Sequence, residues 1–230
     1  MDLIKLSSSQ ISNTISDEKQ INLFITGVGN VGEELLKQIL KQKKPLKAKL
    51  NLCVKIIGIS NSTKMIFNKN GINLELWKSK LNDGVKANEL LFKKTAKKLN
   101  LINSVFVDNT ASEEISNLYN DYLSQSISVV TCNKIACSNK LSNYQNLIKL
   151  SIRHNCSFLY ETNVGAGLPI IDTLKNLINS GDKIISIQAV LSGSLNYIFN
   201  NYNNYNTFKE VVIKAMGEGY TDCLLYTSPS

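Results

Sequence analysis

The sequence of 230 residues is poor in the side chains that build metal and nucleophile centres, because it contains one histidine, His154, and no CxxC pair of cysteines. A single histidine excludes a His-rich zinc site and allows at most one Ser-His or Cys-His pairing. We interpret His154 as structural. The five cysteines form an odd number without disulfide-like spacing, which predicts free thiols and a cytoplasmic protein.

The sequence also lacks the run of about 18 to 20 apolar residues that a membrane helix requires, so a bilayer-spanning role is excluded. Residues 1–20 lack the apolar core of a signal peptide and contain acidic residues that transit peptides avoid. We expect this segment to form a linker or a surface strand.

Arginine is nearly absent, although the net charge is +8. Nucleic-acid-binding proteins usually combine their lysines with arginines or aromatic residues, so we expect no nucleic-acid partner. The lysines are interpreted as solvated helix faces, with general attraction of anionic small molecules as the alternative. The charge comes mainly from lysines, in clusters such as Lys41, Lys43, Lys44 and Lys47, then Lys93, Lys94, Lys97 and Lys98.

Residues 21–44 read as a short apolar run, a glycine-rich turn and a helix with apolar side chains at helical spacing. The apolar run at 52–60 has the composition of a buried parallel strand and completes a βαβ unit. Within that unit, Gly27, Gly29 and Gly32 form the pattern GxGxxG, which is typical of dinucleotide binding in this context. A glycine turn with only a structural role is the alternative.

The residues after the second strand bear on the choice of cofactor. An acidic residue there would bind the ribose 2′-hydroxyl of NAD, but residues 60–64 contain none. Lys64 could pair with a 2′-phosphate. The sequence therefore slightly favours NADP, with use of both cofactors left open.

Two further strands, at 104–108 and 127–131, place polar residues at their carboxyl ends, where open α/β sheets bind ligands. The first delivers Asn109 and Thr110, and the spacing of Thr110 and Glu113 predicts a capping box for the next helix. The second delivers Lys134, which is either a solvated helix start or a group that exchanges a proton with a substrate beside a nicotinamide.

The second half of the sequence predicts a helix at about 140–153, a strand ending at Glu161, and the glycine-rich stretch ETNVGAGLPIID at 161–172. Pro169 suits the first turn of a helix that stops at Gly181. Residues 183–191 alternate between apolar and polar and predict a half-exposed strand of a second sheet. Thr207 and Glu210 predict a capped helix.

Several segments, in this order, resemble homoserine dehydrogenase: ITGVGNVGEELL, VDNTAS, VVTCNKIA, ETNVGAGLPIIDTL, GDKI and AVLSGSLNYIFN. The similarity is closest to the dehydrogenase half of bifunctional aspartokinase/homoserine dehydrogenases and covers residues 21 to about 222. It implies an NAD- or NADP-dependent oxidoreductase that interconverts L-aspartate 4-semialdehyde and L-homoserine, on the route to threonine and methionine. It also implies a homodimer or higher homo-oligomer when complete.

The resemblance implies roles for individual residues. Lys134 matches a catalytic lysine of the family, and a monovalent cation, usually sodium, is bound by a carboxylate and backbone carbonyls. The residues concerned are Gly27, Val28, Gly29, Asn30, Val31 and Gly32 for the pyrophosphate; Asn109, Thr110 and Lys134 for the nicotinamide; Glu161, Val164, Ala166 and Leu168 for sodium; and Tyr220 and Asp222 for the substrate.

The expected fold is α/β: a Rossmann-type, doubly wound, mostly parallel sheet followed by the start of an α+β catalytic and dimerisation domain. We expect a linker at 1–20, a dinucleotide-binding domain at 21–150, part of a catalytic domain at 151–222 and a non-native tail at 223–230.

The last eight residues, CLLYTSPS, match nothing in the family. We therefore expect the 230-residue chain to bind dinucleotide without dehydrogenase activity, and the native sequence to continue differently after residue 222. An aspartokinase domain upstream is left open. The alternative from another functional class is a non-catalytic dinucleotide-binding module or remnant.

Overall fold

The structure, a computed structural model, describes residues 18–203 and 206–220. The described strands are β1 (Lys19–Thr26), β2 (Leu52–Ser60), β3 (Lys64–Phe67), β4 (Val85–Lys86), β5 (Ser104–Asp108), β6 (Ser128–Thr131) and β7 (Phe158–Leu159). The described α-helices are α1 (Asn30–Leu50), α2 (Trp77–Asn82), α3 (Glu89–Leu99), α4 (Glu113–Ser116), α5 (Tyr119–Leu123), α6 (Ile135–Ser138), α7 (Leu141–Arg153), α8 (Ile171–Asn179), α9 (Gly193–Asn201) and α10 (Phe208–Gly217). The βαβ unit and most of the predicted helices are thereby confirmed.

The strands form one sheet in the order β4-β3-β2-β1-β5-β6-β7. Strands β1 and β2 pair in parallel, as do β6 and β7. Strands β3 and β4 continue the sheet in antiparallel pairing beyond β2, which the mixed sequence after residue 64 did not predict. The expected α/β class with a mostly parallel sheet is confirmed.

The chain divides into two compact units between Val105 and Phe106. In the first unit, the core lies under α1 and α3 against β1 and β2, whose side chains are buried on both faces as parallel strands require. The ring of Phe92 on α3 packs edge-on against Phe24, with ring centroids 6.5 Å apart, and contacts Phe67 at 4.8 Å. These rings fix α3 over the sheet.

The second unit has an aromatic core that packs against β5 and β6. Phe106 stacks on Tyr122 with ring centroids 4.0 Å apart, and Tyr119 and Phe158 complete the cluster at 6.1 Å from each other. All four rings are buried. This packing holds the carboxyl ends of β5 and β6, where the polar residues of the second unit lie.

Three predicted details differ from the structure. The cap of α4 is Ser112, whose hydroxyl accepts from the Ile115 amide, so the capping box predicted at Thr110 and Glu113 is wrong. Pro169 lies just before α8 instead of in its first turn. The strand predicted at 183–191 is absent among the described residues, because a strand requires a hydrogen-bonded neighbour and none of the described strands pairs with it.

The other local predictions have mixed outcomes. Thr207 and Glu210 form the predicted capping box at the start of α10. Cys53, Cys132, Cys137 and Cys156 are free thiols, as expected. Among the helices described, none has both the length and the hydropathy needed to cross a bilayer. The predicted domain limits stay predictions, and residues 1–17 and 221–230 lie outside the described residues.

Candidate functional site

The predicted phosphate turn lies between β1 and α1. Gly27 has φ +85°, a left-handed conformation that glycine adopts without strain, and its amide donates to the Ser60 carbonyl at 2.9 Å. Gly29 is the N-cap of α1 and provides no side-chain cap. A Cβ built on Gly29 would meet no heavy atom within 4 Å, so the protein leaves space in front of this backbone.

The amino end of α1 has the chemistry of an anion site. The first amides of a helix have no partner within the helix and carry a partial positive charge. Asn30 and Val31 open the helix and are exposed, whereas Gly32 is buried where the helix packs closely. The six residues predicted to hold a pyrophosphate thus form one continuous turn and helix start.

One carboxylate, Glu33, lies in the first turn of α1. It pairs with Lys78 at 2.8 Å and with Lys37 at 3.3 Å. The hydrogen bond from Lys78, followed by that from Lys37, lowers the pKa of Glu33, so its charge is retained and is matched by two ammonium groups. The pairing reduces the repulsion that Glu33 alone would exert on a bound phosphate.

The segment after β2 forms a compact turn around Asn61. The Asn61 side-chain oxygen accepts from the amides of Thr63 and Lys64 at 2.9 and 2.7 Å, leaving Ser62 and Thr63 exposed. Lys64 begins β3, and its ammonium donates to the Gly84 carbonyl at 3.0 Å. The Thr63 hydroxyl donates to the same Asn61 oxygen at 3.0 Å, so the Ser62 hydroxyl is the simpler partner for a 2′-phosphate here, with Lys64 anchored beside it.

In the second unit, the residues that follow β5 and β6 are joined by hydrogen bonds. The fully buried carboxylate of Asp108 accepts from the Thr110 amide at 2.7 Å and from the Asn133 side-chain amide at 3.0 Å. The Asn133 amide group also donates to the Ser112 carbonyl at 2.9 Å. The segments that carry Thr110 and Lys134 are thus brought together within this unit.

Lys134 lies between β6 and α6 and is half-buried, as is Asn109. Its carbonyl accepts from the Ser138 amide at 2.9 Å, which fixes its backbone at the start of α6. Burial raises the pKa of nearby Cys137 to about 11, so this thiol stays protonated at neutral pH and is a poor nucleophile. Lys134 is therefore the stronger candidate for proton exchange in this segment.

The glycine-rich loop at 161–168 begins with the 3₁₀ turn Glu161–Asn163. Gly165 has φ +72°, and a Cβ there would lie 2.1 Å from the Ile170 Cδ1, so only glycine fits. Ala166 also has a positive φ, +52°. The loop thereby turns its backbone sharply just before α8.

Glu161 lies at the amino end of α8 and accepts two backbone hydrogen bonds. Its Oε1 accepts from the Ile171 amide at 2.9 Å and its Oε2 accepts from the Asp172 amide at 2.8 Å. The Leu168 carbonyl accepts from the Ile170 amide at 2.9 Å. Two of the four predicted cation ligands therefore already take part in the loop's own hydrogen bonds.

The oxygen donors of this loop nevertheless suit a hard monovalent cation. Each Glu161 oxygen accepts one hydrogen bond and keeps a second lone pair. The side-chain oxygen of Asn163 is buried and has no hydrogen-bond partner, which adds a further oxygen in the same turn. Within the described part of the chain, no cluster of three or more His, Cys, Asp or Glu side chains could hold a metal, so a transition-metal site is not found there.

Of the two predicted substrate residues, Tyr220 is described and Asp222 lies outside the described residues. Tyr220 stacks on Tyr197 with ring centroids 4.3 Å apart. The Tyr197 hydroxyl donates to Glu218 at 2.6 Å, and this hydrogen bond raises the pKa of Tyr197 to about 12. The segment that leads to Asp222 is thus anchored to α9.

Sequence reasoning missed the groups that hold the site residues in place. The sequence patterns assign no role to Asp108 or Asn133. Their spacing of 25 residues gives no local signal, because the contact depends on β5 and β6 lying side by side. The turn around Asn61 had a clearer signal. Asparagine is common in short polar segments between strands, where its side-chain oxygen accepts from the backbone amide two residues later and forms an Asx turn.

Comparison with known proteins identifies both parts of the chain. Residues 27–161 match the family model described as homoserine dehydrogenase, NAD binding domain, and residues 169–223 match the model described as homoserine dehydrogenase. A bifunctional aspartokinase/homoserine dehydrogenase of Haemophilus influenzae is 38% identical over 90% of this chain and 25% of its own length. A homoserine dehydrogenase of Schizosaccharomyces pombe is 37% identical over 88% of this chain and 56% of its own length.

Solved structures agree with the sequence comparison. A mutant of a hyperthermophilic archaeal homoserine dehydrogenase in complex with NADPH superposes with a TM-score of 0.70 and 26% identity, covering 89% of this chain and 63% of that protein. The chain spans only a quarter to about half of the length of these curated relatives. Because the first family model covers more than half of the sequence, the chain belongs to the homoserine dehydrogenase family and contains its NAD-binding domain.

Proposed function

We propose that this chain is the dinucleotide-binding part of an enzyme that interconverts L-homoserine and L-aspartate 4-semialdehyde with NADP or NAD. The observation that carries the proposal is the amino end of α1, where Gly29 leaves the first helical amides accessible in front of an open space. Family membership supplies the substrate pair, and the half-buried Lys134 supplies a group for proton exchange.

Different residues of the chain would have different roles in the reaction. A bound nicotinamide would supply the hydride chemistry that interconverts the alcohol of homoserine and the aldehyde. Lys134 would exchange the hydroxyl proton with the substrate. Asn109 and Thr110 would line the nicotinamide, and Tyr220 with Asp222 would bind the amino-acid end of the substrate. Such residues raise the reaction rate mainly by holding the substrate and the nicotinamide in a fixed relative geometry.

A preference for NADP is supported by the absence of any carboxylate among residues 60–64 and by the exposed hydroxyl group of Ser62. We further propose a homo-oligomer. It is supported by the large exposed apolar side chains of residues 182–192, of which Ile185 is 94% exposed.

The proposed function is tested by titrating the 230-residue chain with NADPH and with NADH, following nicotinamide fluorescence. We expect saturable binding of both and a lower Kd for NADPH. Homoserine-dependent reduction of NADP⁺ is then measured on the product of the natural gene, with any flanking sequence included. Absence of binding to either dinucleotide would refute the proposal, whereas binding without turnover in the gene product would favour a non-catalytic module.

We also propose that the 161–168 loop binds sodium through Glu161, Val164, Ala166 and Leu168. We expect the chain to unfold at a higher temperature in sodium chloride than in choline chloride of equal concentration, because binding to the folded state adds to its stability. Glu161→Gln should lower the free energy of unfolding by about 1 to 2 kcal/mol in choline chloride, since α8 loses a charged cap, and by more in sodium chloride. It should also abolish the sodium-dependent increment.

Calorimetry measures both effects, and Asp182→Asn, which removes an exposed carboxylate after α8, is the matched control. If wild-type protein unfolds at the same temperature in the two salts, the loop does not bind sodium. A loss of stability in the Glu161 variant would then reflect the helix cap alone.

A further inference from the structure

The carboxylate of Asp108 is completely buried, yet the proposed reaction gives it no chemical step. It lies at the carboxyl end of β5 and accepts three hydrogen bonds. Its Oδ1 accepts from the Thr110 amide at 2.7 Å. Its Oδ2 accepts from the Tyr119 hydroxyl at 2.5 Å and from the Asn133 side-chain amide at 3.0 Å. Burying a carboxylate is costly unless donors surround it in this way, so the arrangement is specific.

The donors of Asp108 belong to two different loops. Thr110 lies in the β5–α4 loop, residues 109–112, and Asn133 lies in the β6–α6 loop, residues 132–134. Asn133 is 2% exposed and makes a second tie to the first loop, donating to the Ser112 carbonyl at 2.9 Å. Its own carbonyl accepts from the Asn163 side chain at 3.2 Å. Asp108 and Asn133 therefore hold both loops in one relative position, with Asp108 as the acceptor that the two loops share.

Tyr119 completes the surroundings of Asp108 from α5. Burial, and next the charge of Asp108, raise the pKa of Tyr119 above its ordinary range, so its hydroxyl remains a donor at every usable pH. The Tyr119 hydroxyl also contacts the Thr131 hydroxyl at 2.8 Å. The Thr131 hydroxyl in turn accepts from the backbone amide of Asn133 at 2.8 Å. The carboxylate is thus surrounded by groups that donate toward it or toward each other.

We propose that Asp108 is a positioning residue that fixes the β5–α4 and β6–α6 loops together, so that Thr110 and Lys134 are ordered before the nicotinamide arrives. This inference rests on the proposed function, because it needs these loops to line the nicotinamide. Ordering in advance lowers the entropy lost when the ligand binds. The role requires a carboxylate, since both of its oxygens must accept.

The carboxamide introduced by Asp108→Asn cannot replace this carboxylate, although it has nearly the same shape. If its NH₂ group occupies the Oδ2 position, it faces the NH₂ group of Asn133. If its NH₂ group occupies the Oδ1 position, it faces the Thr110 amide. Either orientation sets one donor against another, so one of the two loops loses its tie.

The experiment compares NADPH with 2′-phospho-ADP-ribose, which has the same adenosine and pyrophosphate groups but no nicotinamide. The Kd of each ligand is measured by calorimetry on the 230-residue wild-type chain and on Asp108→Asn. We expect Asp108→Asn to weaken NADPH binding by about tenfold and to change the Kd of 2′-phospho-ADP-ribose less than about twofold. A residue needed only for folding would weaken both ligands alike.

Two further variants make the test robust. Tyr119→Phe removes one donor to Asp108 but leaves the ties to both loops, so the ratio of the two Kd values should stay within about twofold of wild type. Asn133→Ser removes both ties that the Asn133 side-chain amide makes, to Asp108 and to the Ser112 carbonyl, while keeping an oxygen near the Ile135 amide. It should reproduce the selective loss of NADPH affinity. If Asp108→Asn does not fold, Asn133→Ser tests the positioning role in its place.

The outcomes separate the two proposals. Selective loss of NADPH affinity in Asp108→Asn or Asn133→Ser, with Tyr119→Phe unchanged, supports the positioning role. Equal weakening of both ligands, or no weakening of either, overturns it while leaving dinucleotide binding intact. If the wild-type chain binds neither ligand, the proposed function itself fails and the positioning role fails with it.

Discussion

Replacement of Lys134 by Met is expected to lower kcat for homoserine oxidation by about 10²- to 10⁴-fold, the range over which a single positioned acid or base contributes. Met retains the length and the apolar stem of lysine but cannot carry a proton. The Lys134 backbone is fixed by the start of α6, and its side chain is half-buried, so the fold should tolerate the change. The NADPH Kd should change less than about threefold, because Lys134 is proposed to act on the oxygen of the substrate.

The measurement is steady-state NADP⁺ reduction by the natural gene product, paired with an NADPH titration of the same sample. Lys140→Met is the matched control, since Lys140 also immediately precedes a helix, α7, but is exposed. It should leave both quantities unchanged. Undiminished kcat in the Lys134 variant would remove this residue from the mechanism, and an equal loss of NADPH affinity would assign it to cofactor binding instead.

The parts of the fold that sequence reasoning predicted are those whose signals are local. The strand, turn and helix from β1 to α1 are encoded by an apolar run, three glycines and a 3.6-residue periodicity within about thirty residues. The capping box at Thr207 is likewise contained in four residues. Such patterns describe interactions between near neighbours in the chain, so they can be read without knowing the order of the strands.

The parts that sequence reasoning missed depend on contacts between distant segments. The alternating pattern at 183–191 is typical of a strand, yet no hydrogen-bonded strand forms there among the described residues, because alternation cannot supply a partner. Ser112 instead of Thr110 caps α4, because the helix begins at Glu113, and the Thr110 hydroxyl accepts from the Ser112 amide at 3.2 Å. Asp108 and Asn133 were not identified as groups that hold the site together, because their contact joins residues 25 apart and depends on β5 and β6 lying side by side.

Replacement of Gly29 by Val is expected to raise the NADPH Kd by about 10- to 100-fold, which corresponds to the loss of one charge-assisted hydrogen bond or more. A side chain at the N-cap of α1 would occupy the space through which a pyrophosphate approaches the helical amides. The protein itself does not resist the change, because a Cβ on Gly29 meets no heavy atom within 4 Å and its φ of −74° suits any residue. The free energy of unfolding should fall by no more than about 1 kcal/mol, the cost of an apolar N-cap.

Calorimetric titration with NADPH and thermal unfolding of the same samples separate the two effects. Gly29→Ala should give an intermediate Kd, since the loss of affinity follows the size of the added group. Gly217→Val is the matched control, because Gly217 ends α10 and a Cβ there also meets nothing within 4 Å. NADPH binding that is unchanged in Gly29→Val would mean that the pyrophosphate does not lie at this helix start, since a β-branched side chain and a phosphate cannot occupy the same space. Graded loss at Gly29, with Gly217→Val unchanged, would place the phosphate in front of α1.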